Sequence, residues 1–352
     1  GAGSAMGPIA TLLSRGANVV AVDLNRPTIW KRLIAMAKNS PGRLIFPISQ
    51  PRQLCTDETL PDYAGCNLFT DTPRIAHWLH GVEPSESLII GSYAYLDGAL
   101  HVQVALAMDA IVQELIPIRG PEKVIPAYLH TPTDLHVIPE SARTMSKRNY
   151  ARPRSLLRFV VDRLVIALTR GKWLAKNTPP PVLMQDGQEI FYVNSLSKLQ
   201  GPNYALAKRL QQWRAILARS RDGCVVSANV APATYTASNL HVRAVGWALK
   251  GMSYFDAMEV FPQETTNTIM TAILLYDIGD KTGAANPQVK LRNPLEMNAF
   301  GAVHGGTFRS AYKFGTMGQM AGVAYFARQL RPLILLAIFM ALLLYVVRVE
   351  FV

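Results

Sequence analysis

Two residues four apart, Tyr204 and Lys208 in NYALAKRL, have the types and spacing for proton transfer. On a helix this spacing sets phenol and ammonium on one face, a turn apart. A nearby ammonium favours the phenolate, so the tyrosine can exchange a proton with a carbonyl or alcohol near neutral pH. Just upstream, FYVNSLS offers Ser195 and Ser197, whose hydroxyls can hydrogen-bond a substrate oxygen. A second set opens the chain, where GAGSAMGP puts glycines at 1, 3 and 7 before an apolar run of helical spacing. Such a loop lets backbone approach a pyrophosphate, whose charge meets the N–H groups of the following helix. Asp23 ends the strand ANVVAVD about 20 residues on, where a carboxylate takes ribose hydroxyls. Arg26 would instead meet a 2′-phosphate, so NAD and NADP both stay open.

These residues need strands and helices to hold them. The loop normally follows a strand, so the reading expects chain upstream of Gly1, and any targeting segment is unreadable. The pattern predicts a helix from Pro8 to Arg15, strands at Ala17 to Asp23 and Arg43 to Ile48, and a helix from Thr72 to Gly81. A strand from Ser87 to Gly91 and a long apolar helix from Gly98 to Leu115 follow. Strands alternating with helices imply a parallel sheet with crossover helices. The alternation breaks over 116–187, read as a basic, proline-rich insertion. It resumes with a strand from Glu189 to Ser195, a helix from Tyr204 to Ser220, a strand from Cys224 to Val230 and a helix from Pro262 to Tyr276.

In this order, GAGSAMG, AVDL, VNSLS, YALAK and VAPATYT make the chain resemble the short-chain dehydrogenases/reductases. The likeness covers roughly residues 1–23, 87–115 and 189–280, and FPQETTNTIMTAILLYDI resembles the family's closing helix. It implies an α/β fold of Rossmann type, with a doubly wound parallel sheet binding NAD or NADP. Carried over, Gly1, Gly3 and Gly7 would hold the pyrophosphate and Asp23 or Arg26 the adenosine ribose. Tyr204 would be the general acid/base, and Lys208 would bind the nicotinamide ribose and lower the tyrosine pKa. Pro232, Thr234 and Thr236 would line the nicotinamide side, and Gln103 would stand for the relay asparagine. The family's Asn-Asn-Ala-Gly turn reads GSYA here, placing Gly91 at the cofactor. Pro47 replaces the usual adenine-side aspartate, Ala233 follows the proline, and both serines stand closer to the tyrosine than the family's serine does.

Lys and Arg number 36 against 24 Asp and Glu, a net +12 that suits an anionic partner. No zinc finger, KH-type loop or aromatic-basic RNA motif appears, so nucleic acid is not expected. The three cysteines form no CxxC pair, and the seven histidines show no metal spacing. The insertion's centre, 153–176, has apolar residues at helical spacing among arginines, which reads either as a helix on an anionic membrane or as one packed on its own domain. The tail, 311–352, is read as a helix faced by Gly315, Gly318 and Gly322, then a membrane helix over 332–352. The expected divisions are therefore 1–115 and 188–310 for the dinucleotide domain, 116–187 for the insertion and 311–352 for the anchor. Two functions follow. One is a membrane-anchored NAD(P)-dependent oxidoreductase acting on a lipophilic carbonyl or alcohol. The other is a catalytically silent accessory subunit of a membrane complex. A mitochondrial or plastid membrane fits either, and the endoplasmic reticulum is also open.

Overall fold

A computed structural model describes residues 1–153, 155–197, 200–300 and 302–330. The fold is mixed α/β with small parallel sheets. In chain order the first half comprises α1 (Ile9–Ser14), β1 (Asn18–Val20), α2 (Pro27–Lys38), β2 (Arg43–Ile45), α3 (Leu60–Tyr63), α4 (Thr72–Gly81), β3 (Leu88–Ser92), α5 (Ala99–Arg119), β4 (Val124–His130) and β5 (Leu135–Val137). Next come α6 (Glu140–Ala151), α7 (Leu156–Leu168), β6 (Val182–Leu183), β7 (Glu189–Ile190), β8 (Tyr192–Asn194), α8 (Gly201–Ser220) and β9 (Ser227–Val230). The remainder is β10 (Thr234–Tyr235), α9 (Ala237–His241), α10 (Arg243–Gly251), β11 (Phe261–Pro262), α11 (Gln263–Gly279), α12 (Met297–Phe300) and a helix over 318–330.

The parallel strands fall into three pieces, β1–β2, β3–β4–β9 and β10–β11. Among the described residues they are not joined into the single doubly wound sheet that the sequence predicts. Gly1 and Ala2 link the first two pieces instead. Their nitrogens both donate to Val22 O, at 2.8 and 3.0 Å, and Gly1 lies against the backbone of Ala94 just after β3.

β4 is the central strand of its piece and is buried along nearly all its length, as a parallel strand covered on both faces should be. It falls inside the stretch read as insertion. Its Pro126 disguises it, because proline cannot donate to a ladder and usually marks an edge. The structure tolerates Pro126 because β9 pairing starts only at Ala127, opposite Ser227. Conversely, the stretch Glu189 to Ser195 is not a parallel strand. It divides into β7, antiparallel to β6, and β8, antiparallel to β5.

α5 starts after Gly98 (φ +60) and stops at Gly120 (φ +91), two conformations that a β-carbon disfavours. Among the described residues it is the helix long and apolar enough to cross a membrane, but it packs between α4 and α8 within the main core. The predicted terminal span, 332–352, lies outside the described residues. Arg119 at the end of α5 donates to five carbonyls, those of Leu79, His80, Val82, Glu83 and Glu86, at 2.8–3.3 Å. The predicted tail helix begins later than expected. Gly315 sits in a 3-10 turn (Phe314–Thr316) against Leu196 O, and Gly318 faces Ala248 of α10.

A second core gathers Leu174, Met252, Phe255, Met258, Tyr312, Met317, Met320 and Ala321. A third packs Leu13, Trp30 and Leu33 between α1, α2 and β1.

Candidate active site

The chemistry-bearing residues lie at the carboxyl ends of the parallel strands, where open α/β sheets bind ligands. The glycine loop precedes α1 and returns to the end of β1. Asp23 Oδ2 accepts from Gly3 N at 2.6 Å and Oδ1 from Leu24 N at 2.7 Å. Arg32 of α2 donates to Gly3 O at 2.8 Å. A β-carbon on Gly1 would lie 2.5 Å from Ala94 Cα, and one on Gly3 would lie 2.9 Å from Ile29 Cγ2, so space rather than φ requires glycine at both. Gly7 is looser, its amide donating to Ser4 O at 3.1 Å. Arg26 is exposed, one residue before α2.

Tyr204 sits in the first turns of α8, which Gly201 (φ +73) and Pro202 set up. The Thr131 hydroxyl, just past the end of β4, acts on the phenol electrostatically and favours its ionised form. Thr131 Oγ1 lies 2.6 Å from Thr133 Oγ1, which donates to Gln200 Oε1. His136 Nε2 meets Thr131 O at 2.8 Å and holds the turn. The Tyr204 ring also packs on Tyr95 (6.1 Å between centroids) and His101 (5.4 Å), and these two stack edge-on at 4.8 Å.

Lys208 lies a turn further on, its Nζ 6.0 Å from the Tyr204 ring centre. It donates to Leu129 O at 3.1 Å and to Gln211 Oε1 at 3.2 Å. Burial brings its pKa down to about 8. The ammonium is thus turned to the β4 backbone, and the tyrosine pKa is not lowered as the spacing predicts. Burial pushes Tyr204 up, with the Thr131 hydroxyl pulling the other way.

His101 is the residue that the sequence did not single out. It is 1% exposed, and neither ring nitrogen has a hydrogen-bond partner among the described residues. Burial first and the Lys208 charge second lower its pKa to about 4, so it is neutral at pH 7. Gln103, two residues along α5, points to solvent. Positions two apart on a helix face nearly opposite ways, so only one can meet the tyrosine.

Ser195 is fully buried, with its Oγ unpartnered among the described residues and its N donating to Asp134 O at 3.0 Å. Ser197 lies against Gly315, on the tail side. Neither follows a parallel strand into the tyrosine. Thr131 does, at the end of a run, VIPAYLH, whose apolar character was the available signal.

Gly91 pairs opposite Ala127 within β3, its α-carbon covered by the Tyr93 ring. Thr234 Oγ1 donates to Pro232 O at 2.9 Å and lies 3.0 Å from Thr266 Oγ1 of α11. The next residue, Asn267, donates to Ala5 O at 2.9 Å. One helix face therefore ties the proline turn to the glycine loop. Thr236 caps α9 by accepting from Asn239 N at 3.3 Å.

The geometry joins the glycine loop, the turn after β3 and the tyrosine: Gly1 touches Ala94, and Tyr95 touches Tyr204. It leaves Arg26, Gln103 and Ser197 outside that contact chain. Compared with known proteins, the chain matches no family model, no curated protein and no solved structure.

Proposed function

We propose that this chain is a divergent NAD(P)-dependent oxidoreductase of the short-chain dehydrogenase/reductase type, whose dinucleotide fold has its parallel strands in separate pieces. It acts on the carbonyl or alcohol of a lipophilic substrate and is held at a membrane, organellar by preference, through 332–352. The observation that carries the reading is the placement of Tyr204. It stands on α8 beside the end of parallel strand β4, one turn before Lys208, and packs on the turn that also touches the glycine loop.

The residues present fit a dinucleotide. Gly1 and Gly3 are bare where backbone is crowded, and Asp23 accepts two backbone N–H groups while keeping lone pairs for ribose hydroxyls. His101 offers buried ring nitrogens without partners. When bound, the nicotinamide supplies or receives the hydride at the substrate carbon. Tyr204 Oη gives its proton to the substrate oxygen in reduction and takes it back in oxidation. Thr131 stands beside the phenol, in the place that the sequence assigned to Ser195 or Ser197. Burial raises the phenol pKa, which keeps Tyr204 in its protonated, acid form at neutral pH. Lys208 fixes the start of α8 on β4 through Leu129 O and bonds Gln211 Oε1 along its own helix.

A second reading, a silent subunit of a membrane complex, draws on the Lys208 contacts, since an ammonium committed to backbone does not activate a phenol. Turnover of apolar ketones and aldehydes with NADH or NADPH separates the two. Tyr204→Phe is expected to lower kcat by about 10²–10⁴-fold while leaving nucleotide binding intact. Equal turnover in both proteins would refute the assigned mechanism.

A further inference from the structure

α7 presents a face that the rest of the fold does not cover. Ser155 caps it, its Oγ accepting from Arg158 N at 3.2 Å. Its inner face is fixed: Val161, Val165 and Ile166 pack into the second core. Buried Asp162 accepts from the hydroxyls of Tyr254 and Tyr312, each at 2.9 Å, and Arg158 pairs with Asp256 at 2.9 Å. With that rotation set, Leu156, Leu157, Val160, Leu164 and Leu168 form a stripe along the outside, each 55–79% exposed. A water-facing helix normally carries charge on such a face.

Two further features say what covers the stripe. Residues 141–185 hold ten Lys and Arg against a single acid, the buried Asp162. Arg170 (φ +51) and Gly171 (φ +74) then turn the chain sharply at the end of the helix. There Leu168, Thr169, Arg170, Lys172 and Trp173 line an open hollow of about 400 Å³, where the stripe meets two cations and an indole. Apolar residues beside cations and tryptophan are the composition of a helix lying in a bilayer interface.

The same turn is tied to the tail. Leu174 N donates to Thr316 O at 3.2 Å, Ala175 N to Thr316 Oγ1 at 3.1 Å, and Lys313 N to Ala175 O at 2.7 Å. From there the helix over 318–330, with Val323, Phe326 and Leu330 exposed, leads to the charge-free sequence PLILLAIFMALLLYVV.

We propose that α7 lies in the interface of a bilayer rich in anionic phospholipid, its leucine stripe among the acyl chains. Arg170 and Lys172 hold a headgroup phosphate in the hollow beside Trp173. This rests on the membrane part of the proposed function and not on its chemistry. A lone apolar anchor tethers a domain without orienting it, and a second contact fixes which side faces the lipid.

The test uses the full chain in vesicles of phosphatidylcholine, with and without phosphatidylglycerol. An environment-sensitive nitrobenzoxadiazole label is placed at Leu164→Cys, in a Cys66→Ser background, with Leu343→Cys as the reference in the terminal segment. With anionic vesicles, both labels should shift to the blue and lose accessibility to an aqueous quencher. At position 164 that shift should shrink in Arg170→Glu/Lys172→Glu. A shift at 343 without one at 164 overturns the α7 contact and leaves the anchor standing. Equal shifts at 164 in neutral vesicles overturn the headgroup assignment. A shift at 164 without vesicles, growing with protein concentration, overturns the proposal in favour of a second copy on the stripe.

Discussion

His101 and Lys208 are both driven toward their neutral forms by burial, and their consequences for stability run in defined pH windows. His101 titrates at about 4 in the fold against 6.5 unperturbed. Between those values the unfolded chain binds a proton that the folded chain refuses, so stability falls as pH drops from 6.5 toward 4. Lys208, at about 8 against 10.5, makes stability rise as pH climbs through that interval. His101→Phe should therefore lose less stability than wild type between pH 7 and 5 in urea unfolding, and an unchanged difference would contradict the burial argument. Some slope will persist, since burial also lowers His130 to about 3 and His304 to about 4. At this scale the sequence was legible where chemistry is local. Tyr204 and Lys208 share one helix, and four residues of spacing suffice to bring them together. His101 and Thr131 reach the tyrosine from α5 and β4, and no local spacing connects them. Gln103 answers to the relay asparagine by its amide, whereas the helix face turns His101 inward and Gln103 to solvent.

Elements succeed or fail as signals according to how much tertiary context they need. α5 was legible because a long, mostly apolar run between two glycines admits few alternatives. β4 was not, because Pro126 contradicts a central strand unless the starting register of β9 is known. The stretch ending in Ser195 alternates like a strand, and only its partners, β5 and β6, show that it leaves the parallel pieces. Arg119 shows how such elements are held. Its guanidinium closes the end of α4 and the following turn with five carbonyl bonds, and at 9% exposure no water replaces them readily. Arg119→Met keeps the apolar stem and strands those acceptors. It should lower unfolding stability by about 3 kcal/mol or more, read from the urea midpoint. A change within about 0.5 kcal/mol would mean that the turn re-solvates freely.

On the scale of the whole chain, polarity is divided between two regions. The parallel pieces with α4, α5, α8 and α11 gather the glycine loop and Tyr204, while most of the excess positive charge sits around α6 and α7 with the second core. The net +12 was legible from composition. Its concentration beside an uncovered leucine stripe needed the rotation of α7, which Asp162 and its two tyrosines fix. The central claim is that the Gly1–Gly7 loop with Asp23 reads a dinucleotide, and the direct measurement is a titration of the purified protein with NADH and NADPH, followed by nicotinamide fluorescence. Saturable binding of one of them, weakened in Asp23→Ala and retained in Tyr204→Phe, is the predicted result. A folded protein that binds neither would contradict the account and leave the silent-subunit reading in its place.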